Sequence, residues 1–141
     1  MKILRLSLSN LASIAGEQEV LFEQAPLAHA GLIAITGKTG AGKSTLLDAM
    51  CLALYDRVPR LNGAVGSIKD VGGADLSLKD PKHILRRGAT SGFAELEFIA
   101  LDGKRYQARW EVWRAHKKPD GNLKYNRAIT CLNEQRVLNH K

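Results

Sequence analysis

The sequence predicts an α/β fold with a mixed sheet, and three observations support this fold class. An apolar, β-branched run at residues 32–36 leads into a glycine-rich segment at 37–44. An apolar stretch at 43–55 has the length and composition of a helix, and alternating segments at 93–132 predict an antiparallel meander. A strand, a glycine loop and a helix in this order are typical of a P-loop NTPase.

Two further strands are predicted ahead of the glycine-rich segment. Leu4, Leu6 and Leu8 alternate with polar residues, so the opening segment predicts a half-buried strand. After a break at residues 15–16, the segment 19–22 predicts its antiparallel partner. The run at 32–36 shows no alternation, which predicts a central strand covered on both faces.

The glycine-rich segment reads Gly-Lys-Thr-Gly-Ala-Gly-Lys-Ser and matches a complete phosphate-binding loop. Glycines let backbone N–H groups close around phosphates, and the helix that follows directs its positive end at the same anion. We expect Lys43 to reach the β- and γ-phosphates of ATP, and the Ser44 hydroxyl to complete the shell of Mg²⁺. The predicted nucleotide-binding residues are Gly37, Lys38, Thr39, Gly40, Ala41, Gly42, Lys43, Ser44 and Thr45.

The helix predicted at 43–55 has almost no polar face, which predicts burial on most sides. Asp48 is its one acidic residue and is assigned no chemistry, because the helix dipole stabilises a carboxylate near the N-terminus. Cys51 and Cys131 lack metal-ligand spacing, so we expect reduced thiols. The opening residues show no leader peptide and no apolar run is long enough to span a membrane, which predicts one cytoplasmic domain.

The second half of the chain divides into an irregular segment, 56–92, and the meander, 93–141. Glycines, charges and two prolines fill the irregular segment, whose one predicted ordered piece is a short helical turn at 81–87. In the meander, Asp102 and Gly103 predict a tight hairpin, and a further strand is predicted around 128–132. Asp102 follows four apolar residues, as a magnesium-binding acid does in many nucleotide sites, but its position favours a turn residue.

Positive charge is concentrated after the glycine-rich segment. The net charge is +7, and residues 56–127 carry fifteen basic against nine acidic side chains, whereas residues 1–55 are neutral. Such a surplus fits a polyanion such as double-stranded DNA or a solubilising surface, and composition does not separate the two. The candidate DNA contacts, each with a solvated surface position as the alternative, are Arg60, Arg86, Arg87, Arg105, Arg109, Lys117 and Lys118.

Seven short segments carry a family resemblance. They are Met-Lys-Ile-Leu at 1–4, Asn-Leu-Ala-Ser at 10–13, the loop and helix at 35–49, Leu-Ala-Leu-Tyr at 52–55, Pro-Arg-Leu at 59–61, Leu-Arg-Arg-Gly at 85–88 and Tyr-Gln-Ala-Arg-Trp at 106–110. With these segments the whole chain resembles the N-terminal ATPase lobe of SbcC, the ATPase subunit of the SbcCD nuclease, in the SMC-like branch of ABC-type ATPases. Ala12 departs from the wider branch, where many relatives have an arginine near the nucleotide.

The resemblance implies an ATP-binding half of a DNA double-strand-break repair ATPase that gates a partner metallonuclease on DNA ends. It implies four partners: the C-terminal ATPase lobe of the same protein, a second copy in an ATP-dependent head dimer, an SbcD-like nuclease subunit and double-stranded DNA. Family members also carry a glutamine loop, a Leu-Ser-Gly-Gly-type signature, a second acidic motif and a switch histidine. None of these motifs occurs in the 141 residues, so we expect part of an ATPase head without a complete catalytic set.

Two other functional classes fit parts of the sequence. A small P-loop kinase would share the phosphate loop, but such enzymes usually open with the strand that leads into it, and no arginine-rich lid is evident. A DNA-binding module with a vestigial nucleotide site would explain the missing motifs, but the intact Gly37, Gly42, Lys43 and Ser44 argue against decay.

Overall fold

A five-stranded antiparallel sheet with one long helix on one face forms the frame of the molecule. The computed structural model describes residues 1–132. The strands and the helix, in chain order, are β1 Lys2–Leu11, β2 Ile14–Leu21, α1 Lys43–Tyr55, β3 Ser67–Lys69, β4 Asp75–Ser77, β5 Ser91–Ile99, β6 Arg105–Arg114 and β7 Leu123–Cys131. Single 3₁₀ turns lie at Leu27–His29, Pro59–Leu61, Pro81–Ile84 and Ala115–Lys117.

The large sheet has the strand order β2-β1-β5-β6-β7, and the small sheet pairs β3 with β4. The predicted strand pair at the start of the chain is confirmed, as is the predicted meander up to residue 132, and the β1–β5 ladder joins them into one sheet. The rest of the predicted meander, 133–141, lies outside the described residues. The β1–β2 turn falls at residues 12–13 rather than at 15–16, and β7 begins at Leu123 rather than near residue 128. All pairings among the described residues are antiparallel, so the expected mixed sheet is not formed within them.

The core lies between α1 and the sheet face that carries every second residue of β1, β5 and β6. Leu6 and Leu8 of β1 are fully buried, as the alternation predicts. Leu6 lies opposite Leu96, and Leu96 opposite Ala108, so one row of apolar side chains crosses three strands. Trp110 is fully buried as well, and its indole Nε1–H donates to Asp56 Oδ1 at 2.8 Å, which ties β6 to the C-terminal end of α1.

The prediction of a central strand at 32–36 is wrong for the described part of the chain. These residues form neither helix nor strand, all five are exposed, and Leu32 is 90% exposed. The cause is the lack of a neighbouring strand: none of the strands within residues 1–132 pairs with this run, so its backbone groups have no ladder to join. The β-branched run is therefore a strand-forming sequence that has no partner strand among the described residues.

The helix bounds are confirmed, but the expected burial on most sides is wrong. Residues of α1 that face the sheet, including Ala49, Leu52 and Ala53, are fully buried. Leu47 is 57% exposed and Tyr55 is 64% exposed, because nothing in the described residues covers the opposite side of the helix. α1 is thus an apolar helix with one side packed and one side open.

The alternation of Arg105 and Arg109 with apolar residues predicts a cationic outer face for the meander, but in the structure this face of the sheet is charge-balanced. Glu95 and Glu97 of β5 are almost completely buried beneath arginines from neighbouring strands. Arg5 contacts both carboxylates, Arg109 Nη1 donates to Glu95 Oε2 at 2.7 Å, and Arg105 Nη2 donates to Glu97 Oε2 at 2.6 Å. Because each carboxylate forms ion pairs with two guanidinium groups, the arginines of this face stabilise the sheet itself.

The segment 56–90 is anchored to the sheet by an ion pair between Asp70 and Arg114. The helical turn predicted at 81–87 is confirmed only over Pro81–Ile84. The segment also contains β3, β4 and the 3₁₀ turn Pro59–Leu61, so the prediction of a single ordered piece is wrong. Arg114, at the end of β6, donates from both terminal nitrogens to the Asp70 carboxylate, at 2.7 and 3.0 Å. Both side chains are about nine-tenths buried, and the hydrogen bonds from Arg114 hold the pKa of Asp70 below its ordinary value of 3.8.

Asp70→Asn should lower the free energy of unfolding at pH 7 by about 2 kcal/mol, the size of a hydrogen bond to a charged group. A depressed folded-state pKa stabilises the fold above 3.8 and loses that effect as the pH falls through the lowered value. The difference between wild type and Asp70→Asn should therefore shrink as urea titrations move from pH 7 to below 3.8. Asp120→Asn, in an exposed loop, is the control; an equal loss in both variants would contradict the ion-pair account.

Candidate nucleotide-binding loop

Residues 37–42 form a glycine-rich loop that leads directly into α1, which begins at Lys43. Gly40 and Gly42 have left-handed backbone conformations, with φ of 83° and 96°, which side chains with a Cβ rarely adopt. Gly42 is the residue that caps the N-terminus of α1, and its carbonyl accepts the Leu46 N–H at 3.2 Å. Residues 37–41 are exposed, so the loop is open to solvent above the helix N-terminus.

Lys43 curls back over the loop that precedes it. Its ammonium Nζ donates to the Gly37 carbonyl at 2.6 Å and to the Lys38 carbonyl at 2.9 Å. The Ala41 N–H also donates to the Lys38 carbonyl, at 3.1 Å, which closes the turn. A cation is therefore held in the mouth of a loop whose next element is a helix N-terminus, and this combination suits an anion.

Ser44 and Thr45 lie in different environments. Ser44 is exposed in the first turn of α1, whereas Thr45 is only 2% exposed. Within residues 1–132 there is no cluster of three or more His, Cys, Asp or Glu residues with the spacing to hold a metal ion. The residues present fit a Mg²⁺ ion that takes the Ser44 hydroxyl and draws its other ligands from phosphate oxygens and water.

The β1–β2 turn is packed against the loop, which sequence reasoning missed. A Cβ placed on Gly42 would lie 3.0 Å from Ile14 Cγ1 and 3.3 Å from Ser13 Oγ. Gly42 is therefore required twice, for its backbone conformation and for the close approach of the turn. The segments at 10–13 and 37–44 were each singled out in the sequence, but no local sequence pattern indicates that they are in contact.

Asp48 has an ion-pair partner that the sequence did not indicate. The carboxylate lies on the buried side of α1, and its Oδ2 is 2.9 Å from Arg60 Nη2, although the two groups are not aligned as a hydrogen bond. Burial raises the pKa of Asp48, and the charge of Arg60 opposes this shift in part. Arg60, a candidate DNA contact, is thus engaged with the helix while its side chain stays 48% exposed.

The other candidate DNA contacts divide into two groups. Arg105 and Arg109 bind carboxylates of the outer sheet face, and Arg86 donates to backbone carbonyls of the β1–β2 turn. Arg87, Lys117 and Lys118 are exposed and have no side-chain hydrogen-bond or ion-pair partner within residues 1–132. The structure thus leaves the second group available to an external anion.

Asp102 is confirmed as a turn residue. Its carboxylate accepts the Lys104 N–H at 2.9 Å and the Tyr106 hydroxyl at 2.7 Å, and the first of these bonds is the main cause of its lowered pKa. Cys51 and Cys131 are free thiols, and burial raises the pKa of Cys51. In the part of the chain that the structure describes, no helix is long and apolar enough to cross a membrane.

Comparisons with known proteins agree with this geometry. The family model described as "AAA domain" matches residues 5–140. The chain belongs to the AAA domain family. This membership confirms the nucleotide-binding fold class that the phosphate loop predicts.

Sequence relatives confirm the resemblance to SbcC. The chain is 52% identical over 140 residues, 98% of its length, to the SbcC component of the SbcCD nuclease of Pseudomonas aeruginosa, and 52% identical over 125 residues to the corresponding protein of Rhodobacter capsulatus. It is 28% identical over 110 residues to the "DNA double-strand break repair Rad50 ATPase" of Methanopyrus kandleri. The chain spans 12%, 10% and 10% of the lengths of these relatives.

A solved structure is also similar. The SMC head domain from Thermotoga maritima aligns with 99% of this chain and 41% of its own, with a TM-score of 0.48 and 19% sequence identity.

Proposed function

We propose that residues 37–45 bind ATP with Mg²⁺. The observation that carries this proposal is the Lys43 ammonium held in an open glycine loop at the N-terminus of α1. In the bound state Lys43 would exchange its two carbonyl acceptors for phosphate oxygens, and the backbone N–H groups of 40–44 would donate to the same phosphates. Ser44 would place its hydroxyl on the metal.

We further propose that the chain is the ATP-binding half of a DNA double-strand-break repair ATPase that gates a partner metallonuclease in the cytoplasm. The 52% identity to two SbcC proteins of the SbcCD nuclease supports this proposal. ATP hydrolysis is proposed for the whole protein, because its relatives extend far beyond the matched region. In this account Lys43 supplies charge at the phosphates, whereas the oriented water and the polarising acid come from residues outside this chain.

The open surfaces around the loop support a second lobe of the same protein as a partner. Residues 32–36 form an exposed, mostly apolar run without a neighbouring strand among the described residues, and Leu47 lies exposed on the uncovered side of α1. A strand that pairs with this run would satisfy its backbone hydrogen-bonding groups, and a surface that packs on α1 would bury Leu47. We propose that the C-terminal lobe provides these contacts, and that two such heads associate around ATP.

Lys43→Ala should remove most ATP affinity, because backbone donors alone do not replace a cation that faces two phosphates. Ser44→Ala should weaken chiefly the Mg²⁺-dependent part of binding. Titration of the purified chain with a fluorescent ATP analogue, with and without Mg²⁺, measures both effects. Lys79→Ala removes an equal charge from an exposed position just after β4 and serves as the control. Equal affinity in Lys43→Ala and Lys79→Ala would contradict the assignment.

Duplex DNA is proposed as a partner through the exposed cations Lys117 and Lys118. Replacing Lys117 and Lys118 together by glutamine should flatten the slope of log affinity against log salt concentration by about two units, because each phosphate contact contributes roughly 0.9. The paired change of Lys69 and Lys79, which are also exposed, is the matched control. A slope that changes equally in both double variants would show that only net charge is sensed.

A further inference from the structure

The β1–β2 turn is held from one side by the segment that follows the 3₁₀ turn Pro81–Ile84. Leu85 forms an antiparallel bridge with Leu11, at the end of β1. The Ala12 N–H donates to the Ile84 carbonyl at 2.7 Å, and the Arg86 N–H donates to the Asn10 carbonyl at 2.9 Å. The two segments are therefore joined by backbone bonds on both sides of residue 11.

The Arg86 side chain completes this attachment. Its Nη1 donates to the Ala12 carbonyl at 3.2 Å and to the Ser13 carbonyl at 2.9 Å. Asn10 and Ala12 both have positive φ, 51° and 45°. Asparagine tolerates this conformation, but it is unfavourable for the alanine. A half-buried guanidinium bonded to both carbonyls of the turn stabilises this strained conformation.

The opposite side of the same turn faces the phosphate loop. Ser13 Oγ and Ile14 lie within contact distance of the position that a Cβ on Gly42 would occupy. Gly42 is the N-terminal cap of α1 and directly precedes Lys43. Arg86, the turn and Gly42 therefore form a continuous chain of contacts from the segment 84–86 to the loop.

We infer that Arg86 is a positioning residue for the phosphate loop, acting through the β1–β2 turn. This inference rests on the proposed nucleotide site, whose geometry it explains. Loss of the guanidinium releases the two turn carbonyls, and Ser13 and Ile14 then no longer hold Gly42 in place. A loop that must be ordered by the nucleotide binds it less tightly than one ordered in advance.

This role gives Arg86 a function within the fold, although the sequence analysis made it a candidate DNA contact. Arg86 Nη1 is committed to two carbonyl acceptors, whereas the side chain of its neighbour Arg87 is exposed and unpartnered among residues 1–132. The pair thus offers an internal comparison, in which two adjacent arginines differ in their contact with the turn. Arg87→Ala removes the same charge without touching the turn.

Hydrogen exchange of the nucleotide-free chain tests the inference directly. Arg86→Ala should speed exchange of the Ala41 and Leu46 amides, which donate to the Lys38 and Gly42 carbonyls, about tenfold. Arg87→Ala should leave both amides unchanged. Arg86→Gln, which keeps a donor but loses the charge, should give a smaller increase and covers the case in which Arg86→Ala does not fold. Wild-type exchange in a folded Arg86→Gln, or an equal increase in Arg87→Ala, would overturn the inference.

Affinity for the fluorescent ATP analogue with Mg²⁺ gives the second measurement. Arg86→Ala, or Arg86→Gln if the first variant does not fold, should raise the dissociation constant several-fold at a temperature well below unfolding, with Arg87→Ala equal to wild type. An unchanged affinity in the Arg86 variants would overturn the inference while the nucleotide site stands. A wild-type chain that binds no nucleotide would contradict the proposed function instead, and the exchange result would still decide whether Arg86 orders the loop.

Discussion

The packing of α1 against the sheet is the constraint on which the candidate site depends. Ala49, Leu52 and Ala53 are fully buried against the row of apolar residues that crosses β1, β5 and β6. Trp110 fixes the C-terminal end of the helix through Asp56, and the β1–β2 turn contacts Gly42 at the other end. With both ends held, the helix N-terminus has a defined position, and the phosphate loop is presented to solvent in front of it.

The charges of the molecule serve two separate purposes. Arginines on the outer sheet face neutralise the buried Glu95 and Glu97, and Arg114 does the same for Asp70. These pairs stabilise the fold, since carboxylates at such depth would otherwise lack compensation. Because paired charges cancel within the net charge, the surplus of +7 comes from cations outside these pairs, and the exposed Lys117 and Lys118 are among them.

Local patterns predicted those features of the fold that local physics determines. The alternation in β1, the bounds of α1 and the hairpin at Asp102 follow from side-chain periodicity and turn chemistry, and all three are present. The strand prediction at 32–36 failed because a strand depends on a neighbouring strand, and no local pattern shows whether one is present. The pair Arg5–Glu95 and the contact of the turn with Gly42 join residues far apart in sequence, so spacing gave no sign of them. The candidate loop was predictable, whereas the residues that support it were not.

The central proposal is that this chain carries half of an ATPase site and needs a second lobe to act. Single-turnover ATP hydrolysis, measured with the chain alone and with the chain co-expressed with the C-terminal lobe of the same protein, tests it most directly. We expect bound but unhydrolysed ATP in the chain alone, and hydrolysis that Lys43→Ala abolishes once the lobe is present. Repeated turnover by the chain alone, lost in Lys43→Ala, would contradict the claim and show a complete active site within these residues.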